Sequence, residues 1–160
     1  MRLPPLRAAS VAILIAVGLL AAGCGGDETM DAFEEKVVAA RDTADSSFAY
    51  IKRPKSTDDL VVRLRKNGTR LATASTSISQ ADAPDELTDE QERLAKALTA
   101  MSKEMNAAAN SIEVVQNGPS GSPGPVETLI FDTWDTVQAV LNDLRADGID
   151  VLPLRPGGGP

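Results

Sequence analysis

Residues 87–115 read LTDEQERLAKALTAMSKEMNAAANSIEVV. Leu87, Gln91, Leu94, Leu98, Met101, Met105, Ala108, Ile112 and Val115 follow at alternating steps of four and three. Such steps return to one side of a 3.6-residue helix, and here they do so eight times in succession. Thr88 and Gln91 have capping-box spacing, in which the two side chains satisfy the first free N–H groups of a helix. Asn117-Gly118 is a natural stop. The stretch predicts a helix over 88–116 with one apolar stripe. Met101 and Met105 on that stripe read as core filler, because methionine adapts to irregular gaps. A long helix with a single apolar stripe is stable only if neighbours cover the stripe. The flanking sequence must therefore supply partners.

Immediately upstream, Leu60, Leu64, Asn67, Leu71, Ala74, Ile78 and Ala81 repeat the same spacing and predict a helix over 57–82. Ser56 and Asp59 are spaced as a capping box at its start. Asn67-Gly68 falls inside it, and Asn-Gly is a turn signal. The apolar phase is unchanged across the dipeptide, so the reading is a continuous helix with a weak point at Gly68. Asn67 on the inner side reads either as a polar register-setter or as a functional group.

Further out, Met30, Phe33, Val37, Ala40, Ala44, Ser47 and Ile51 predict a helix over 29–52, closed by Pro54, which disfavours helix in the residue before it. Downstream, Gly118–Pro125 (GPSGSPGP) is a loop. Val126, Ile130, Thr133, Val137, Val140 and Leu144 then predict a helix over 126–147, widened by Leu129, Trp134 and Leu141. Trp134 on that stripe reads as core or core edge. Gly148 followed by Ile149 suggests a glycine cap with an apolar contact. Residues 149–160 read as a flexible C-terminal tail. The fold expected is all-α: an antiparallel up-down four-helix bundle over residues 29–148.

Before the first helix the pattern changes. Arg2 and Arg7 are followed by a short apolar core, Val11–Ala22, and then by small residues. This is the order of a secretory signal. The core is well short of the roughly 20 apolar residues that span a bilayer, so a cleaved signal over 1–23 reads better than a retained anchor. Ala21-Ala22-Gly23-Cys24 resembles the bacterial lipobox. The resemblance implies cleavage between Gly23 and Cys24 and a diacylglyceryl group on the Cys24 sulfur. It also implies a place on the outer face of the bacterial cytoplasmic membrane, with residues 24–28 as a short tether. Two lipid chains hold a protein at a membrane far better than one. The remainder is similar to the small, alanine-rich helical lipoproteins of high-GC Gram-positive bacteria, on Ala83–Leu87 (APDEL) and on composition. That likeness implies no particular activity.

Cys24 is the sole cysteine of 160 residues, so no internal disulfide is available. Beyond residue 23 the chain holds 14 basic and 23 acidic residues, a net charge of −9, which argues against nucleic acid as a partner. The five aromatic residues are too few for stacking platforms. There is no histidine, which removes histidine-based acid–base catalysis, di-iron sites of the Glu-x-x-His kind and the usual zinc sites. No phosphate-binding or dinucleotide fingerprint occurs. The reading is that of a non-enzymatic protein without catalytic residues, metal ligands or cofactor.

The charges divide along the chain. Lys52, Arg53, Lys55, Arg63, Arg65, Lys66 and Arg70 are half the basic residues beyond the signal. In an up-down bundle they gather at the end away from Cys24. Asp82, Asp85, Glu86, Asp89, Glu90 and Glu92 gather at the opposite end. The basic tip reads as an interaction surface for an anionic envelope polymer or protein, against the plainer reading of a solvated face. Function is expected to be that of an interaction or scaffold module at the cell envelope. The alternative is a sensor-like bundle that binds a small ligand or cation.

Overall fold

The computed structural model describes residues 25–117 and 131–155, with side chains from residue 29 onward. Within them the chain is all-helical, with no strand: α1 spans Gly25–Ile51, α2 Thr57–Ser79, α3 Thr88–Asn117 and α4 Thr133–Ala146. A single 3₁₀ turn, Asp85–Leu87, leads into α3. The four helices form a bundle around one apolar core. The close backbone pairings are α1 with α2, α2 with α3 and α3 with α4.

The helix ends depart from the sequence reading at several places. α1 reaches back to Gly25, through residues read as a non-helical tether. The apolar spacing begins only at Met30, so it gives no sign of the helical turn before it. α2 stops at Ser79, where the Gln80 N–H folds back to the carbonyls of Ile78 and Thr76. α4 begins at Thr133, and the segment 118–130 lies outside the described residues. Its first turn has no side-chain cap of its own. Glu104 of α3 fills that role, accepting hydrogen bonds from the Thr133 N–H and hydroxyl. Orphan N–H groups at a helix start favour such a carboxylate.

The stripes form the core. Phe33, Val37, Ala44 and Phe48 of α1, Leu64, Leu71 and Ile78 of α2, and Leu94, Leu98, Met101 and Met105 of α3 are wholly buried. Along α3 the buried side shifts from Met105 to Ala109 rather than Ala108, and Val115 is exposed. A strict seven-residue repeat drifts by about 20° per heptad on a straight helix. By its fourth turn after Leu98 the stripe has rotated out of the interface. At one end Phe48 is the hub of an aromatic cluster. Its ring meets Phe131 at 5.1 Å and Trp134 at 4.5 Å, both edge-on.

α2 passes through Gly68 without a break. The glycine serves close approach: a Cβ there would lie 2.6 Å from the Asn106 amide nitrogen, and Ser102 donates to the Gly68 carbonyl at 2.7 Å. Ser75 makes a similar bond about two turns on, donating to the Ala95 carbonyl at 2.7 Å. Gln91 donates to the carbonyls of Ile78 and Ala81, both at 2.7 Å, and so caps the end of α2 from α3. Asn67 is fully buried and donates to the Ser47 carbonyl at 3.1 Å, which ties α2 to α1. Gly68→Val should destabilise the bundle by about 1–3 kcal/mol, the usual range for overpacking. Urea unfolding checks this, and an unchanged midpoint would show that the helices tolerate a wider spacing.

Residues 149–155 correct the reading of a flexible tail. They run back over the bundle without regular secondary structure, with a tight turn where the Val151 N–H donates to the Ile149 carbonyl at 2.9 Å, and bury Ile149, Val151 and Leu154. The turn into this strap is a Schellman cap. Ile149 N–H donates to the Leu144 carbonyl at 3.0 Å, Gly148 N–H to Arg145 at 3.3 Å, and Gly148 takes φ +102°. The strap is then fixed to α1 and α4. Asp150 N–H donates to Glu34 at 2.9 Å, and Leu154 N–H to Gln138 at 2.8 Å. The strap's apolar residues stand two and then three positions apart, which suits neither a helix nor a regular strand. Burial is what holds them.

Candidate functional site

The seven basic residues of the expected tip divide into two groups. Arg65 and Arg70 face neighbouring helices. Arg65 pairs with Glu113 at 2.6 Å and donates to Asn110 at 3.0 Å, both on α3. Arg70 donates to Ser46 at 3.3 Å on α1. These two link helices. The remaining five collect around the α1–α2 connection. Arg63 donates to the Tyr50 carbonyl at 2.7 Å, and its guanidinium lies over the Tyr50 ring at 4.8 Å. Lys66 stands over the same ring at 5.8 Å. Lys52, Arg53 and Lys55 are exposed on the connection itself. A tyrosine face bracketed by two cations is held there by the ring quadrupole.

Asp59 anchors this corner. The Ser56 hydroxyl accepts the Asp59 N–H at 3.1 Å, while the Asp59 carboxylate reaches back to the Lys55 N–H at 2.7 Å and pairs with Arg63 at 2.8 Å. This is a capping box displaced by one residue at its return bond. The bond from Arg63, then that from Lys55, hold the Asp59 carboxyl below its ordinary value. A carboxyl depressed by folding contributes stability that is present above its unfolded pKa and lost as pH falls through the folded one. Asp59→Asn should therefore be less stable than the parent at neutral pH, and the gap should close in acid. Thermal melts from neutral pH down to about pH 2 test this, since the ordinary aspartate value lies near 3.9. A gap that stays constant over that range would disprove the assignment.

The same end of the bundle carries most of the exposed apolar bulk. Among the described residues the exposed large hydrophobics are Tyr50, Val62, Val114, Val115 and Leu152. Tyr50 closes α1, Val62 lies in the opening turns of α2, and Val114 and Val115 are in the last turns of α3. Gln116 of α3 donates to Asp58 of α2 at 3.1 Å, which brings these ends together. The sequence reading found the charges of this tip. It missed the valines, because it assigned Val115 to the inner stripe.

A second feature lies between α2 and α3. An open groove of about 600 Å³ is lined by Ser75, Ser79, Gln91, Ala95, Lys96, Thr99 and Lys103, among others. Its floor hydroxyls are engaged: Ser75 and Thr99 share a hydrogen bond at 2.8 Å. On its rim Lys96 pairs with Glu92 at 2.6 Å, which holds that carboxyl below the usual glutamate range. Among the described residues no group of three or more His, Cys, Asp or Glu side chains is placed to hold a metal ion. No described helix is long and apolar enough to cross a membrane.

Gly23 and Cys24, the residues assigned to signal cleavage and lipidation, lie outside the described residues. Sequence reasoning also missed Arg41 and Asp45, a buried pair of charges on α1. Arg41 pairs with its neighbour Asp42 at 2.7 Å, but Arg41 and Asp45 both bond to the strap, more than a hundred positions away, and no local signal marks that. No family model, no curated protein and no solved structure matches the chain.

Proposed function

We propose that the chain is a lipid-anchored, extracytoplasmic, non-enzymatic bundle that works as an interaction or scaffold module at the cell envelope, with its helices arranged up-down-up-down. The contact partners support the arrangement, because their numbers run in opposite order in each neighbouring pair. Arg70 meets Ser46 and Arg63 meets Tyr50 between α1 and α2; Arg65 meets Glu113 and Gln91 meets Ile78 between α2 and α3; Glu104 meets Thr133 and Arg93 meets Asp143 between α3 and α4. α1 has 27 residues, so at 1.5 Å per residue its far end stands about 40 Å from its start beside Cys24. A tether at Cys24 leaves the tip at Tyr50 reaching away from the lipid.

The observation that carries the reading is the meeting of exposed cations and exposed apolar side chains at that one end. Exposed apolar groups gathered in one place mark contact surfaces, and basic charge selects an anionic partner. In-cell crosslinking of the full chain, followed by mass spectrometry, tests it. A reproducible partner should appear, should be lost in Cys24→Ala, and should fall at least tenfold when Lys52, Arg53 and Lys55 are all changed to Glu. Crosslinking unaffected by the charge reversal overturns the tip as the contact.

The α2–α3 groove favours a second reading, a small-ligand or cation-binding bundle, since its volume falls in the range of about 300–1,000 Å³ usual for small-molecule sites. A ligand that binds the folded state raises the melting temperature by mass action. A screen of small anions, metals and metabolites in which nothing raises the melting temperature counts against that reading.

A further inference from the structure

The strap lies where α1 and α4 have no close backbone pairing with one another. The close backbone pairings run α1–α2, α2–α3 and α3–α4, and the fourth side is closed by residues 149–155. The manner of that closure is specific. α1 and α4 offer side chains, and what they bind is main chain. Glu34 accepts from Asp150 N–H, Gln138 from Leu154 N–H and Asp45 from Arg155 N–H, at 2.8–2.9 Å. The Arg41 guanidinium donates twice to the Pro153 carbonyl, at 2.7 and 3.3 Å. Four main-chain groups of a seven-residue stretch are thus read without reference to its side chains.

Side-chain selection is separate. Ile149, Val151 and Leu154 are 2–3 % exposed, whereas Asp150, Leu152 and Pro153 face outward. Arg155 adds one charge contact, its Nε 2.9 Å from Asp45. Main-chain hydrogen bonds for affinity, with pockets at chosen side chains for selectivity, are how proteins capture extended peptides. The receiving groups are built into the cleft. Arg41 and Asp45 are each 7 % exposed, and the strap supplies partners to both. With the strap seated, Asp45 is met by Arg155, and Arg41 by the Pro153 carbonyl as well as by Asp42 of its own helix.

We propose that the α1–α4 cleft is a peptide-binding site that residues 149–155 occupy in cis. Its ligand class is a non-helical protein segment with apolar side chains at its first, third and sixth positions and a basic one at the seventh. Gly148, in the left-handed region that suits glycine, is the joint at which the strap leaves. A segment arriving in trans competes with a strap tethered at an effective concentration on the order of millimolar. Access is therefore gated by how firmly the strap is seated.

The test uses the purified full chain and a fluorescein-labelled heptapeptide of sequence IDVLPLR, read by anisotropy. A full-chain variant with Val151→Asp and Leu154→Asp loses its own occupant. It should bind the probe at least tenfold more tightly than the parent does. Adding Asp45→Ala to that variant should weaken the probe at least tenfold, because the probe's arginine and its main-chain N–H lose their acceptor. If the double variant is unfolded alone, saturating probe should restore its helical circular dichroism, since binding to the folded state draws folding with it. A folded variant with no gain, an unfolded one that the probe does not rescue, or equal binding of a scrambled heptapeptide each overturns the proposal.

Discussion

A chain ended at Gly148 should lose its cooperative melt, or melt at least about 15 °C below the parent. The truncation removes three buried apolar side chains, Ile149, Val151 and Leu154. Each is worth about 1.5–3 kcal/mol of burial. It also strips the Asp45 and Arg41 side chains of their strap partners, Arg155 and the Pro153 carbonyl. The combined loss rivals the ~5–15 kcal/mol that keeps a whole domain folded. At this chain length about 1 kcal/mol corresponds to a few degrees of melting temperature. Circular dichroism on heating measures the effect directly. A truncated chain that melts within about 3 °C of the parent would show that the strap merely lies on a core already closed.

Phe48→Ala carries the second large effect, a loss of about 3–5 kcal/mol. Phe48 is wholly buried and is the ring that Phe131 and Trp134 both meet edge-on. Its removal leaves a void between the end of α1 and the start of α4, at a place where those helices have no close backbone pairing to fall back on. Trp134 is the only tryptophan, so its fluorescence reports this site alone. The emission should move to the red in the folded variant, because water reaches the indole. An unmoved emission with unchanged stability would mean that the aromatic cluster does not hold the two helices.

The helices were legible because their information is local. Leu94, Leu98, Met101 and Met105 mark an inner side through spacing alone, and the structure buries all four. Ser56 with Asp59 and Gly148 with Ile149 mark ends through cap chemistry that spans only a few residues. The strap was not legible for the opposite reason. Ile149, Val151 and Leu154 have no period, and the partners of their neighbours Asp150, Pro153 and Arg155, at Glu34, Arg41 and Asp45, lie over a hundred positions upstream. Arg41 and Asp45 stand four apart on α1, a spacing that reads as an ordinary surface pair. In the folded chain both are buried, with the strap bonded to them. The basic tip was legible as composition, but its division was not. Arg65 and Arg70 became helix ties through Glu113, Asn110 and Ser46, residues that only the packed bundle brings within reach.

The strap also fixes an order of events. The helix pairs can form as each neighbour becomes available, since their contacts join elements adjacent along the chain. The bond from Asp150 to Glu34 closes a span of 116 positions. Closing a longer loop requires only slightly more entropy, but it requires that both ends exist. A chain whose synthesis has halted between Gly148 and Leu154 therefore has all four helices and an unsealed core. During that interval the polypeptide is loosely held and open to chaperones or proteases. Folding is completed by the residues that emerge after all four helices.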